Sequence, residues 1–139
     1  MDKLRFSDLS DEQKTVVCNG CGPKAWGGLQ PPQFIFRASC DQHDFYYWRG
    51  GTEKDRKFAD KEFYKFMKID IKEDAPWYKK PHYHTLAWIY YSAVRISGVT
   101  CFTYLDEMRT EADLIETVKV YNNIQDAILE ITEVEDDDR

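Results

Sequence analysis

Cys40-Asp41-Gln42-His43-Asp44-Phe45-Tyr46-Tyr47 is the stretch on which the reading of this chain turns. Successive residues of an α-helix point about 100° apart, so Cys40, His43 and Tyr47 share one face while Asp44 projects to its side. A base and an anionic ligand therefore sit next to each other yet face different neighbours. One can serve a reacting water and the other a cation. Upstream lies Asn19-Gly20-Cys21-Gly22-Pro23-Lys24-Ala25-Trp26-Gly27-Gly28. Its glycines and prolines argue for a long loop from Asn19 to Pro32, whose backbone can approach a ligand closely, with carbonyls for hard cations and amides for anions.

The helix carrying His43 is expected from Arg37 to Arg49, stopped by Gly50-Gly51. A second helix starts at Thr52, where Thr52 and Asp55 form an imperfect capping box, and runs to about Lys68. Its apolar arc is Ala59, Phe63, Phe66 and Met67. Asp60 falls about 20° beyond Met67, at the edge of that arc. Because the turn between the two helices is short, they are expected to be antiparallel neighbours, which lets Asp60 face His43.

The flanking sequence supplies further helices. Ser10 and Gln13 make a capping box for a short helix ending near Cys18, and Phe34-Ile35-Phe36 reads as a brief extended piece or a helix lead-in. Ile69 to Pro81 reads as a connector. Tyr83 to Ile96 is apolar nearly all round, the pattern of a buried central helix ending at Gly98. Thr110 and Asp113 cap a last helix with an apolar stripe of Leu114, Val118, Tyr121, Ile124, Ile128 and Ile131. Residues 1–132 are thus expected to form a single all-α domain, and Glu133 to Arg139 an acidic, disordered tail.

Composition narrows the function classes. A chain of 139 residues with 42% hydrophobic residues, nine Tyr, eight Phe and four Trp can build one aromatic-rich core. Its formal charge of −6 lacks the basic footprint of a nucleic-acid binder. No run reaches the roughly 18 apolar residues of a membrane span, and the first residues lack a signal peptide's apolar core. The chain reads as cytoplasmic as synthesised, reaching any outside substrate by release or non-classical export. Four cysteines, Cys18, Cys21, Cys40 and Cys101, are few for a disulfide scaffold and leave the redox compartment open.

In their order, Gly20-Cys21-Gly22, then Cys40-x-x-His43-Asp44-x-x-Tyr47, then an Asp on the next helix, these residues resemble the secretory phospholipase A-two superfamily, most closely its small bacterial and fungal members. The resemblance covers roughly residues 16–68. It implies an all-α fold whose core is two antiparallel helices carrying His43 and Asp60. It also implies calcium-dependent hydrolysis of a phospholipid acyl ester, at the sn-2 position, on a membrane surface or micelle. His43 would activate water, and Asp60 would orient His43. Asp44 would hold Ca2+ together with carbonyls of Gly20, Gly22 and Lys24, the last standing where the family has glycine. Tyr47 would hydrogen-bond the supporting Asp60, and in an oxidising setting Cys21 would bridge to Cys40.

The residues also admit other readings. Cys18-x-x-Cys21 and Cys40-x-x-His43 have the spacing of a three-Cys, one-His zinc site, which would make the domain a structural interaction module. A phospholipase-like fold that binds lipid or protein without catalysis is a third reading. His82 and His84, just after Pro81, read as surface or capping groups. Trp26, Leu29, Pro31, Pro32, Phe34 and Ile35 either line an acyl channel or anchor the loop.

Overall fold

The computed structural model describes residues 3–18 and 34–137. Among them the chain is all-α, built from α1 (Asp11–Val17), α2 (Arg37–Arg49), α3 (Glu53–Asp74), α4 (Lys80–Ser97) and α5 (Glu111–Asp137). Local chemistry sets most of the boundaries. Ser10 accepts from the Gln13 amide while the Gln13 side chain accepts from the Ser10 amide, so two of the orphan donors at the start of α1 are satisfied. Asp55 closes the start of α3 on the Thr52 amide, and Asp113 closes the start of α5 on Thr110 in the same way. Phe34–Phe36 is a single 3-10 turn leading into α2.

α2 is the hub because its two sides pack against different partners. Phe45, fully buried, joins Leu9, Val17 and Leu114 in a cluster that ties α2 to α1 and the start of α5. On the opposite side Cys40, His43 and Tyr47 face α3. The main core is the seam between α3 and α4, where Phe36, Phe63, Met67, Ile71, Ala75 and Ala87 come together. Burying a Phe or Ile side chain there contributes roughly 1.5–3 kcal/mol each.

The Gly50-Gly51 turn folds α3 back along α2. Gly50 (φ 73°) and Gly51 (φ 132°) occupy backbone conformations that favour glycine, and a β-carbon on Gly50 would collide with the Thr103 carbonyl. That crowding has a use. The segment after α4 returns across the turn, with Gly51 N–H donating to Thr103 at 3.1 Å, Leu105 to Gly51 at 2.9 Å and Arg109 to Arg49 at 2.8 Å.

Five expectations are corrected. α3 does not end at Lys68 but runs to Asp74, because nothing breaks the helix before Pro76; the connector shrinks to the few residues before Lys80. α4 starts at Lys80, with Pro81 tolerated in its first turn. It is not a buried central helix: of its residues only Ala87 is buried, while Trp88, Ile89 and Ile96 are exposed. α4 packs chiefly against α3, so one face is covered and its all-round apolar sequence exceeds the surface available to receive it. In α5 only Leu114 of the expected stripe is buried, and Ile124, Ile128 and Ile131 are exposed. Residues 133–137, expected to be disordered, continue α5 as helix, there being no Gly or Pro to stop it. No helix among the described residues is long and apolar enough to cross a membrane.

Candidate functional site: a buried histidine–aspartate pair

Asp60 is completely buried (0% exposed), a costly place for a carboxylate unless its oxygens are fully engaged. They are. His43 Nε2 lies 2.8 Å from Oδ1, the Tyr47 hydroxyl donates to the same oxygen at 2.6 Å, and Arg95 Nη1 donates to Oδ2 at 2.6 Å. Arg56 Nη1 stands further off, 3.6 Å from Oδ2. These donors come from three helices, so packing of α2, α3 and α4 assembles the site.

The geometry fixes the state of His43. An ionised carboxylate only accepts, so the proton shared with Asp60 belongs to His43, on Nε2, and Nδ1 carries the lone pair. Among the described residues Nδ1 makes no hydrogen bond. The ring is held on both sides, stacked on Phe63 at 4.5 Å and tilted against Tyr47 at 4.1 Å. Burial drives the His43 pKa below its ordinary value, and the hydrogen bond and charge of Asp60 oppose that only in part. Neutral imidazole is therefore the resting form at neutral pH. Tyr47 is pushed upward, by burial first and then by Asp60, and remains a donor. Gly98 lets Tyr47 reach its place, since a β-carbon there would run into the hydroxyl.

Asp44, one residue on from His43, is half-buried. Burial and the charges of Asp41 and Asp44 push the thiols of Cys18 and Cys40 up to about 12. Asp44 is thus near Cys18, the residue after which the glycine-rich segment begins in sequence. An oxygen ligand in that position suits a hard cation. Gly20, Gly22 and Lys24, expected to add carbonyls, lie outside the described residues, as does Cys21. No group of three or more His, Cys, Asp and Glu side chains among the described residues is placed to hold a metal.

The cysteines require a correction. Cys40 carries a free thiol, as does Cys18, whereas Cys101 is disulfide-bonded. The Cys21–Cys40 bridge implied by the resemblance is not formed. Cys40 is instead packed against the α3–α4 seam. Cys18 Sγ donates to the Asp41 carbonyl at 3.2 Å, and His43 Nε2 is engaged with Asp60, so Cys18, Cys40 and His43 do not converge as the zinc reading requires. His82 and His84 are exposed in the first turns of α4.

Sequence reasoning missed the arginines. Arg56 is buried, chelates Glu53 at 2.7 and 2.9 Å, and reaches the Val94 and Arg95 carbonyls at 3.4 Å. That chelation, with help from the Tyr104 hydroxyl at 2.5 Å, holds the Glu53 carboxyl down at about 2. The spacing of Arg56 four residues before Asp60 was a legible signal; nothing in the sequence pointed to Arg95. No protein-family model, curated protein or solved structure matches the chain.

Proposed function

We propose that this chain is a calcium-dependent phospholipid acyl hydrolase in which His43 is the general base. The observation that carries the reading is the buried set His43–Asp60–Tyr47, with Nε2 engaged by Asp60 and Nδ1 left to take a proton. Ester hydrolysis near neutral pH needs a base that is neutral at rest, held in one tautomer and supported when it becomes charged. A His whose pKa is lowered by burial is neutral at rest. Water held against Nδ1 would lose its proton there as its oxygen attacks the acyl carbonyl, and the imidazolium so formed is stabilised by Asp60 2.8 Å away. The same imidazolium then returns the proton to the departing alkoxide. Tyr47 keeps Asp60 from turning away from the ring.

Asp44, with carbonyls of Gly20, Gly22 and Lys24, would hold the calcium ion, whose charge polarises the ester carbonyl when bound. A phospholipid at a membrane surface or micelle is the substrate class. Its acyl position, sn-2, follows from the resemblance of the His-Asp helix and glycine segment to secretory phospholipases A-two.

The test is fatty-acid release from mixed phospholipid vesicles by wild type and His43→Ala, with calcium and with a chelator. Release that needs calcium and is lost in the folded variant is expected. A folded wild-type protein that binds the vesicles but releases nothing would replace this reading by that of a non-catalytic lipid binder. Asp44→Asn should weaken calcium binding measured by calorimetry, and unchanged affinity would remove Asp44 from the site.

A further inference from the structure

A buried carboxylate turns about its Cβ–Cγ bond with little intrinsic preference, since that torsion is broad and two-fold. The two oxygens are chemically equivalent, so what the other donors decide is how squarely a lone pair of the nearer oxygen meets His43 Nε2–H. Tyr47 donates to Oδ1, the oxygen His43 already uses. On Oδ2 the direct hydrogen bond is that of Arg95 Nη1, at 2.6 Å. Arg56 faces Oδ2 as a charge and not as a hydrogen-bond donor. At 3.6 Å it lies beyond hydrogen-bonding range of Oδ2, and its donors serve Glu53 and the last carbonyls of α4. Every bond to an ionised carboxylate is charge-assisted; what Arg95 adds is a full positive charge on the oxygen away from the ring, fixing Oδ2 while His43 and Tyr47 share Oδ1.

Place in the fold strengthens the assignment. Arg95 sits in the last turn of α4, three residues before Gly98, whose bare backbone admits the Tyr47 hydroxyl. The end of α4 thus bears on Asp60 twice, directly through Arg95 on Oδ2 and indirectly through the glycine after the helix, which makes room for Tyr47 on Oδ1. The guanidinium is also steadied from outside by Glu53, whose Oε1 lies 3.8 Å from Nη2.

We propose that Arg95 is a positioning residue: by pinning Oδ2 it sets the torsion of the Asp60 carboxylate so that a lone pair of Oδ1 is aimed at His43 Nε2–H, and so holds the imidazole in the tautomer whose lone pair is on Nδ1. The consequence for hydrolysis rests on the reading of His43 as the base. The tautomer itself does not.

The experiment reads both separately. Ring nitrogens of uniformly labelled protein are observed by long-range proton–nitrogen correlation, with His43 assigned through His82→Gln and His84→Gln, at a pH where imidazole is neutral. Wild type should give two widely separated ring shifts with the proton on Nε2. In Arg95→Met the separation should shrink as the second tautomer appears, and Arg95→Lys, which keeps a charged donor, should restore most of it. On vesicles, Arg95→Met should lower kcat on the order of 10-fold to 100-fold with KM nearly unchanged, and Lys should recover part of the loss. Arg95→Gln serves if the Met variant does not fold. A folded Met or Gln variant with wild-type ring shifts overturns the proposal, even if the protein is an active hydrolase. A tautomer change in a protein that hydrolyses nothing upholds Arg95's role and removes the hydrolase reading instead.

Discussion

Asp60→Asn tests the central cluster most directly, because the substitution keeps shape and removes only charge and one acceptor. Three donors point at Asp60: His43 Nε2 at 2.8 Å, Tyr47 Oη at 2.6 Å and Arg95 Nη1 at 2.6 Å. An asparagine offers one acceptor oxygen and one NH2 group. With its oxygen toward His43 and Tyr47, the NH2 meets the Arg95 guanidinium, donor against donor. With the amide flipped, Arg95 is satisfied but Tyr47 loses its acceptor, and His43 must move its proton to Nδ1. Either arrangement breaks a buried charged pair, for which about 3–5 kcal/mol is usual. Arg95 keeps 26% exposure and can regain some hydration, which places the expected loss at the lower end, about 3 kcal/mol. For a domain of this size that is a fall in Tm of about 10 °C. Urea and thermal unfolding at neutral pH measure it, and Arg95→Met made in the Asp60→Asn background should add little, because the charged partner is already gone. A single variant within 1 kcal/mol of wild type, or strict additivity in the double, would refute the reasoning.

His43 is expected to make stability pH-dependent: its folded pKa lies below the unfolded value of about 6.5, so the unfolded chain binds more protons as pH falls through that value. Stability should be complete above about pH 6.5 and decline below it, and His43→Gln should flatten the decline in urea titrations between about pH 7.5 and 5.5. Leu114→Ala should destabilise by about 2–4 kcal/mol, whereas Ile128→Gln, on an exposed face of α5, should stay within about 0.5 kcal/mol; equal losses in urea unfolding would mean that the far half of α5 is packed. Mass mapping after alkylation in denaturant without reductant should label Cys18 and Cys40 and leave Cys101 unlabelled. In the folded protein both thiols should react slowly, since pKa values near 12 leave little thiolate.

Local chemistry carried much of this architecture in the sequence. The Ser10–Gln13, Thr52–Asp55 and Thr110–Asp113 pairs announce helix starts, and the glycine pair at 50–51 announces the turn, because caps and left-handed backbone are decided within a few residues. The three-residue and four-residue spacing of His43 and Tyr47, and the place of Asp60 beside an apolar arc, follow from helical periodicity alone. What the sequence could not settle is which apolar faces find partners. α4 and α5 both carry more apolar surface than the fold covers, and periodicity describes a face without saying what meets it. Tertiary structure also decided the fate of Cys40, whose side chain packs against the α3–α4 seam, and the presence of Arg95 at Asp60, 35 residues away in the chain. A contact of that range depends on how α3 and α4 cross, a property of whole packed helices that no local pattern records.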